Sequence, residues 1–382
     1  MTNVLSIISY PFLPAKMGGQ KGIALFYKYI GQNVNLTCAG VKENNEQFAE
    51  NYKLVKLFGK SSLRYINPLY FFPLKKIIKE NKIEWLLLEH PYYGWLALLL
   101  KYFCKVKLIA KSHNIESLRF KSVGKWWWGI LWHYEKLIFQ KADKAFFITE
   151  EDRQFAMKNY KLSYKKCFVV TYGTEREGIP GEAVRKSAKE TLHKLYGLQH
   201  ETLFLFNGTL SYPPNLDAVK VIVDVINEAL LVNKSLAYKI IICGKGLPAS
   251  FNNLAGYAAK NIINAGFVDD IDVYFKAADV FLNPVIEGGG IKTKLVEAIG
   301  MDLNVITTQS GAIGVPKEVA GHKMKVVKDG DWKSFTEALQ TGFEIQHTGK
   351  EFFEHFYWGN IAEKAVVSLG ASPLISKPPI LP

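Results

Sequence analysis

Residues 284–298, PVIEGGGIKTKLVEA, hold the chain's densest set of groups suited to binding an anion. Three glycines (Gly288, Gly289, Gly290) lead into a segment bearing Lys292, Lys294 and Glu297. Glycine lets a backbone approach a ligand closely. A helix that opens after such a loop aims unpaired N–H groups and the positive end of its dipole at negative charge. Lysines on its first turns add to that field, so the stretch suits a phosphorylated ligand. A second candidate is Lys111-Ser112-His113-Asn114-Ile115-Glu116, which follows an apolar strand. Loops at the carboxyl ends of parallel strands are where such sheets place chemistry. His113 there suits general acid–base work, a hydrogen bond to a substrate hydroxyl, or a structural role. Asp269, Asp270 and Asp272 resemble a metal cluster, but their place before Ile271–Ala277 suits helix capping better. No metal is expected.

The elements that position these groups alternate. Short apolar runs (Val4–Ser9, Val34–Cys38, Trp85–Leu88, Val106–Ala110, Ala145–Thr149, Cys167–Thr171) are separated by helical patterns such as Lys21–Ile30 and Gly94–Phe103. This is the signature of a parallel α/β sheet. Gly18-Gly19, between the first strand and the first helix, forms a strand–glycine–helix unit without a full GxGxxG. Gln47–Gly59 is polar and poorly periodic. After a charged stretch at 176–200, five further strands each end in glycine or small polar residues: at Asn207-Gly208-Thr209, Gly244-Lys245-Gly246, Gly266-Phe267-Val268, the glycine stretch above, and Ser310-Gly311-Ala312. The chain therefore divides into a first Rossmann-like domain over 1–178 and a second over 195–350. A helix over 351–371 contains Trp358, and 372–382 is a proline-bearing irregular tail.

The 382 residues suit two cores. The excess positive charge lies in the first half: residues 1–175 carry 27 Lys and Arg against 13 Asp and Glu, and residues 176–382 carry 21 against 22. That half is suited to an anionic acceptor or membrane surface. The basic residues are interleaved with core segments and form no arm or recognition helix, so nucleic acid is not an expected partner. Four scattered cysteines argue for reduced thiols in the cytoplasm. No apolar run is long enough to span a bilayer. Gly124–Lys141 reads as a helix carrying Trp126, Trp127, Trp128 and Trp132 among lysines. The three consecutive tryptophans cannot all face one core, which suggests an interfacial anchor.

The constellation resembles the retaining glycosyltransferase family 4. The residues that carry the resemblance are Gly18-Gly19, His113-Asn114-Ile115-Glu116, Ala142-Asp143, Tyr172-Gly173, Phe206-Asn207-Gly208-Thr209 with Pro214-Asn215, Gly244-Lys245-Gly246, Gly266-Phe267-Val268, and Ala278-Asp279-Val280 through Glu297-Ala298. Two departures stand out. The usual signature separates two glutamates by seven residues, whereas nine lie between Glu287 and Glu297, as in a glycine-rich GGGxKxKxxEA variant. The basic residues that many members place after the first strand of the second domain are replaced by Gly208-Thr209-Leu210-Ser211-Tyr212.

The resemblance implies a GT-B architecture, with two Rossmann-like domains facing a central cleft. It implies transfer of a hexose from a nucleotide-diphosphate sugar, with retention of configuration, to a glycan or lipid-linked saccharide. The enzyme would need neither metal nor cofactor and would work in the cytoplasm, peripherally at the inner membrane face. Lys294, helped by Lys292 and the backbone near Gly208, Thr209 and Gly290, would hold the diphosphate, and Glu297 the ribose. Gly266 and Val268 would meet the base, and Glu287 or the amides of Gly288, Gly289 and Gly290 the donor sugar. Gly18, Gly19 and Gly244 would line the donor site. His113 would contact sugar or acceptor, making His113, Lys294 and Glu287 the expected catalytic set. The alternatives are a sugar-nucleotide epimerase of the same fold and a non-catalytic nucleotide-sugar-binding relative.

Overall fold

The computed structural model describes residues 1–343 and 346–371. The stretch 372–382, expected to be irregular, lies outside the described residues. The chain divides into two compact units, one of Met1–Glu175 with the chain from Phe356 on, the other of Arg176–His355.

The first unit is built on a seven-stranded sheet. Its strands are β1 (Asn3–Ile8), β2 (Asn35–Val41), β3 (Lys53–Phe58), β4 (Trp85–Glu89), β5 (Lys107–Ser112), β6 (Lys144–Phe147) and β7 (Cys167–Val169), in the order β3-β2-β1-β4-β5-β6-β7. All pairings are parallel. The central strands are fully buried because helices cover a parallel sheet on both faces, which is why Leu86, Leu87 and Leu88 succeed one another without alternation. The second unit repeats the plan with β8 (Thr202–Asn207), β9 (Tyr238–Cys243), β10 (Ile262–Gly266), β11 (Val280–Asn283), β12 (Asn304–Thr308) and β13 (Met324–Val327), in the order β10-β9-β8-β11-β12-β13. Each order reverses once, between β1 and β4 and between β8 and β11. In open parallel sheets, that reversal point at the carboxyl ends of the strands is where ligands bind.

Several elements differ from the sequence reading. β3 occupies the stretch read as polar and irregular, and β13 is a sixth strand in the second unit. The charged stretch at 176–200 contains the helix Glu182–Tyr196, which buries only Ala188 and Leu192. It is tied down at its polar face by Lys189–Asp279 (2.9 Å) and Arg185–Asp302 (2.8 Å). The tryptophan helix begins at Trp128, not Gly124. A separate short helix, Glu116–Ser122, precedes it, and Gly124 at φ +70° closes that helix, with Lys125 N–H donating to the Phe120 carbonyl (3.0 Å). The C-terminal helical stretch is two helices, Lys350–Phe356 and Trp358–Ser368, broken at Tyr357. There the chain rejoins the first unit. Thr174 N–H donates to Phe356 O (2.7 Å), and Trp358 N–H donates to Thr174 O (3.0 Å). A β-carbon on Gly173 would come within 2.6 Å of Phe356 O, so that crossing requires glycine.

Candidate functional site

In the second unit, the carboxyl ends of β8, β9 and β10 are laced by backbone bonds. Gly208 N–H donates to Cys243 O (3.0 Å), Leu210 N–H to Lys245 O (2.8 Å) and Gly244 N–H to Gly266 O (2.7 Å). A β-carbon on Gly244 would fall 1.9 Å from Gly208 O, so this approach of the two strand ends requires glycine at 244. Across the reversal point, the loop after β11 contains Gly288 at φ +92° and Gly290 at φ +68°, both in the left-handed region. Behind it, Asn283 Nδ2 donates to Thr307 Oγ1 (2.8 Å) and Gly311 O (3.2 Å), and Thr308 Oγ1 donates to Val285 O. This satisfied buried network fixes where the loop leaves the sheet.

The loop feeds the helix Thr293–Gly300, which has no side-chain cap at its N-terminus. Its first-turn Lys294 turns toward the end of β8. Nζ donates to Asn215 Oδ1 (3.1 Å) and lies 5.1 Å from the centre of the Phe206 ring. A β-carbon on Gly208 would sit 2.6 Å from Lys294 Nζ and 2.8 Å from Asn215 Nδ2. Glycine at 208 therefore makes room for the ammonium against the backbone. Burial pushes Lys294 down to about 8; Glu297 works against that shift and Lys292 adds to it. Tyr212 borders the same space, its hydroxyl 3.3 Å from where a Gly288 β-carbon would stand. Asn207 Oδ1, at the end of β8, is buried without a hydrogen-bond partner among the described residues.

Of the residues expected to bind a donor, Gly208, Thr209, Gly244, Gly288, Gly290, Lys294 and Glu297 thus belong to adjoining strand ends, loops and one helix of this unit. Lys292 has a different task from that of Lys294: its ammonium donates to the carbonyls of Gly288 (2.7 Å) and Gly290 (3.2 Å), bracing the loop. Glu287 and Gly289 are exposed, and Gly266 and Val268 lie at the end of β10. Asp270 caps the helix Ile271–Ala277 by accepting from Asp272 N–H (3.0 Å). Gly18 and Gly19 open the helix Gly18–Ile30 in the first unit, and a side chain at 19 would meet open space.

The first unit holds a second polar cluster at its own reversal point, of which sequence reasoning found the stretch from Lys111 through His113 to Glu116 but not Glu89, His90 or Tyr27. Glu89, at the end of β4, is fully buried. It accepts from Lys111 Nζ (2.9 Å), from Tyr27 Oη and from His113 Nε2. Burial alone would raise its pKa, but Lys111 and His113 outweigh burial and hold it well below the usual carboxylate range. The pKa of His113 itself is lowered, chiefly by burial and then by Lys111, which favours the neutral imidazole. With Nε2 turned to a carboxylate, that nitrogen carries the proton and Nδ1 is left as an acceptor.

The ring of His90 stacks on that of His113 (4.4 Å, 23°), and His90 Nε2 meets Tyr10 Oη at 3.1 Å. Among the described residues His90 Nδ1 has no hydrogen-bond partner, and it lies 3.7 Å from Glu116 Oε1. The His90 backbone, at φ +63° and ψ 156°, occupies a region used almost only by glycine. Glu116 also accepts from Tyr92 Oη (2.6 Å) and from Arg119 Nη2 (2.6 Å) and Nε (3.0 Å). Its helix is held from below by Glu135, which takes bonds from Glu116 N–H (3.0 Å), Ser117 N–H (3.2 Å), Ser117 Oγ (2.9 Å) and Tyr160 Oη (2.9 Å). The sequence signal for this cluster was an ionisable pair, Glu89-His90, closing an all-apolar strand. Such a charge is rarely buried without partners.

The tryptophans divide. Trp126 is 83% exposed, but Trp127 packs on Phe120 (4.5 Å), Trp128 lies under Lys121 (4.6 Å), and Trp132 meets Tyr160 edge-on (5.6 Å). Among the described residues, no helix is long and apolar enough to cross a membrane.

Two family models match the chain, Glycosyltransferase Family 4 over residues 31–177 and Glycosyl transferases group 1 over residues 201–344. With the two reversal-point sheets, they make this chain one of the GT-B glycosyltransferase family 4/group 1 type. A chitobiosyldiphosphodolichol beta-mannosyltransferase of Debaryomyces hansenii is 24% identical over 272 residues, covering 64% of this chain and 57% of that protein. The match therefore spans little more than half of that relative's length. Among solved structures, sucrose-phosphate synthase from Thermosynechococcus elongatus superposes with a TM-score of 0.72 at 14% identity, over 96% of this chain and 98% of that one. The Anabaena HepE protein in complex with UDP and glucose gives 0.67 at 12% identity, over 97% and 100%.

Proposed function

We propose that the protein is a retaining glycosyltransferase that moves a hexose from a nucleotide-diphosphate sugar to a saccharide acceptor. The observation that carries this reading is Lys294. A desolvated ammonium, seated on glycine backbone at a helix N-terminus and beside a sheet reversal, is suited to a diphosphate. It stabilises the negative charge that develops on the leaving diphosphate when the glycosidic bond breaks. Glu297, one turn further along, suits the ribose diol as a two-fold acceptor. The loop amides of Gly288, Gly289 and Gly290, braced by Lys292, would meet the sugar. The neutral His113, with Nδ1 free to accept, suits a substrate hydroxyl.

No metal is needed in this scheme, because lysine and backbone dipoles carry the charge. The HepE complex with UDP supports a uridine or similar nucleotide, and the relative's lipid-diphosphate saccharide supports an acceptor of that class. The basic first unit fits an anionic acceptor at the cytoplasmic face of a membrane. Retention of configuration rests on the resemblance of the glycine–lysine–glutamate turn. A thermal-shift panel of nucleotides and nucleotide sugars tests the donor site. A ligand at ~100 times its Kd stabilises the fold by about 2.7 kcal/mol, and no shift with any nucleotide refutes the assignment. Once a donor is found, NMR of the product's anomeric centre tests retention, and an inverted product refutes that part alone.

A further inference from the structure

The first unit carries an exposed aromatic face that the glycosyl-transfer scheme does not use. The helices Phe71–Glu80 and Gly94–Cys104 pack side by side. Phe72 is 67% exposed, Tyr102 78% and Phe103 59%. Their rings form one patch through Phe71. Its centroid lies 5.8 Å from Phe72 and 5.8 Å from Phe103, and Phe103 lies 5.1 Å from Tyr102. Upstream of the first helix, Leu63, Ile66 and Leu69 are also exposed. Scattered apolar residues on a surface need no explanation, but contiguous rings of this kind mark an interaction face.

The charges around the patch have one sign. Across residues 61–81 and 94–105 there are six Lys and Arg against one acidic residue, Glu80. Lys75 Nζ stands 5.6 Å from the Phe71 ring centre, and Lys75 and Lys79 both act electrostatically on the Cys104 thiol, so these cations share the face with the rings. A two-fold contact between copies would set these lysines against themselves, which disfavours a second copy as the occupant. Phe and Tyr rings fringed by lysine suit a headgroup layer, where an apolar body and a cationic rim are both satisfied.

We propose that the Phe71–Phe72/Tyr102–Phe103 face is a docking surface for an anionic bilayer. The rings enter the headgroup region, and Lys75, Lys76 and Lys79 meet acidic headgroups. This deepens, and for its purpose rests on, the reading of a lipid-linked acceptor, but its test measures binding and not transfer.

The test is sedimentation of the full chain with vesicles of phosphatidylcholine alone and of phosphatidylcholine with phosphatidylglycerol. The wild type is expected to sediment with the anionic vesicles and to be released by salt. The triple variants Phe72→Ser/Tyr102→Ser/Phe103→Ser and Lys75→Glu/Lys76→Glu/Lys79→Glu are each expected to lose at least ~10-fold in affinity, and Trp126→Ser to lose little. Unfolding temperatures and nucleotide thermal shifts, read in parallel, show that the variants fold. Equal binding by wild type and both triple variants overturns the proposal, and so does loss confined to Trp126→Ser. A lipid-free dimer that the ring variant dissolves assigns the face to a second copy and also overturns it. A wild type that binds vesicles but no nucleotide refutes the transferase reading and leaves the docking surface standing.

Discussion

The lowered pKa of Lys294 makes donor binding depend on pH in a defined direction. In the empty site burial holds the ammonium near 8, so at pH 7 roughly nine in ten molecules carry the charge, and at pH 9 roughly one in ten. A bound diphosphate supplies the counter-charge that burial removed and returns the lysine toward its ordinary value. Apparent donor affinity should therefore fall roughly tenfold between pH 7 and pH 9, about 1.4 kcal/mol. The same shift bears on stability. Between pH 8 and the ordinary lysine range the unfolded chain holds a proton that the folded chain has lost, so fold stability rises with pH through that window. Below it, the buried charge costs up to about 3 kcal/mol.

Lys294→Met removes both effects. It should raise the stability of the empty protein by about 1–3 kcal/mol, several degrees in Tm for a unit of this size. It should also cost at least ~2 kcal/mol in donor binding or transfer. Lys294→Arg keeps a charge that does not titrate, and should flatten the pH profile. Calorimetric titration of a nucleoside diphosphate from pH 7 to 9, with scanning fluorimetry of the three proteins, measures all of this. A wild-type affinity flat across that range, or a Lys294→Met protein that is less stable yet still binds nucleotide, refutes the reasoning.

Glu297→Ala should cost roughly 1.5–3 kcal/mol with a ribonucleoside diphosphate, the scale of hydrogen bonds to a charged group, and much less with its 2′-deoxy form; equal losses with the two nucleotides would remove the ribose role. Lys292→Met frees the carbonyls of Gly288 and Gly290, so KM for the donor should rise while the pH dependence set by Lys294 persists; a lost pH dependence would show that Lys292 acts on the ligand directly. Burial raises Glu135 to about 7, against the bonds from Ser117 and Tyr160. The folded chain therefore holds a proton that the unfolded chain has lost between roughly pH 4.5 and 7, and stability falls as pH rises through that window, by up to about 3 kcal/mol. Glu135→Gln should remove the slope in denaturant titrations, and an unchanged slope would assign it elsewhere. His90→Gly relieves a backbone strain of about 1–3 kcal/mol that His90→Ala keeps, so the glycine variant should be the more stable of the two by urea unfolding; the reverse order would refute the strain.

The sheets were legible where burial is two-sided. Leu86–Leu88 and Ile240–Ile242 lie on central strands, and a strand covered on both faces shows as an unbroken apolar run. The elements that escaped notice are the ones buried on one side or less. β3 and β13 are edge strands, Lys53–Phe58 with a single fully buried residue. The helix Glu182–Tyr196 reads as a linker because most of its surface is polar and solvated. The tryptophan stretch was only partly legible for a related reason. Indole content predicts an interface, but whether a ring meets water or a neighbour depends on packing partners such as Phe120 and Tyr160, which the local sequence does not contain.

The two polar clusters were unequally readable because they are built differently. The second unit's site depends on backbone: glycines where strands end, a loop, and a lysine on the helix that follows. Its residues lie almost wholly in 206–215 and 284–298, and each requirement, such as a β-carbon that Gly208 or Gly244 cannot carry, leaves a mark on the residue type. The first unit's cluster depends on convergence. Tyr10 follows β1, Glu89 and His90 close β4, and Lys111 and His113 close β5, three strands that become neighbours only through the order β1-β4-β5. Nothing in the spacing of 10, 90 and 113 encodes that order. What the sequence does carry is a thermodynamic debt: a carboxylate at the buried end of an apolar strand requires a cation and donors close by. Glu89 finds them in Lys111, His113 and Tyr27.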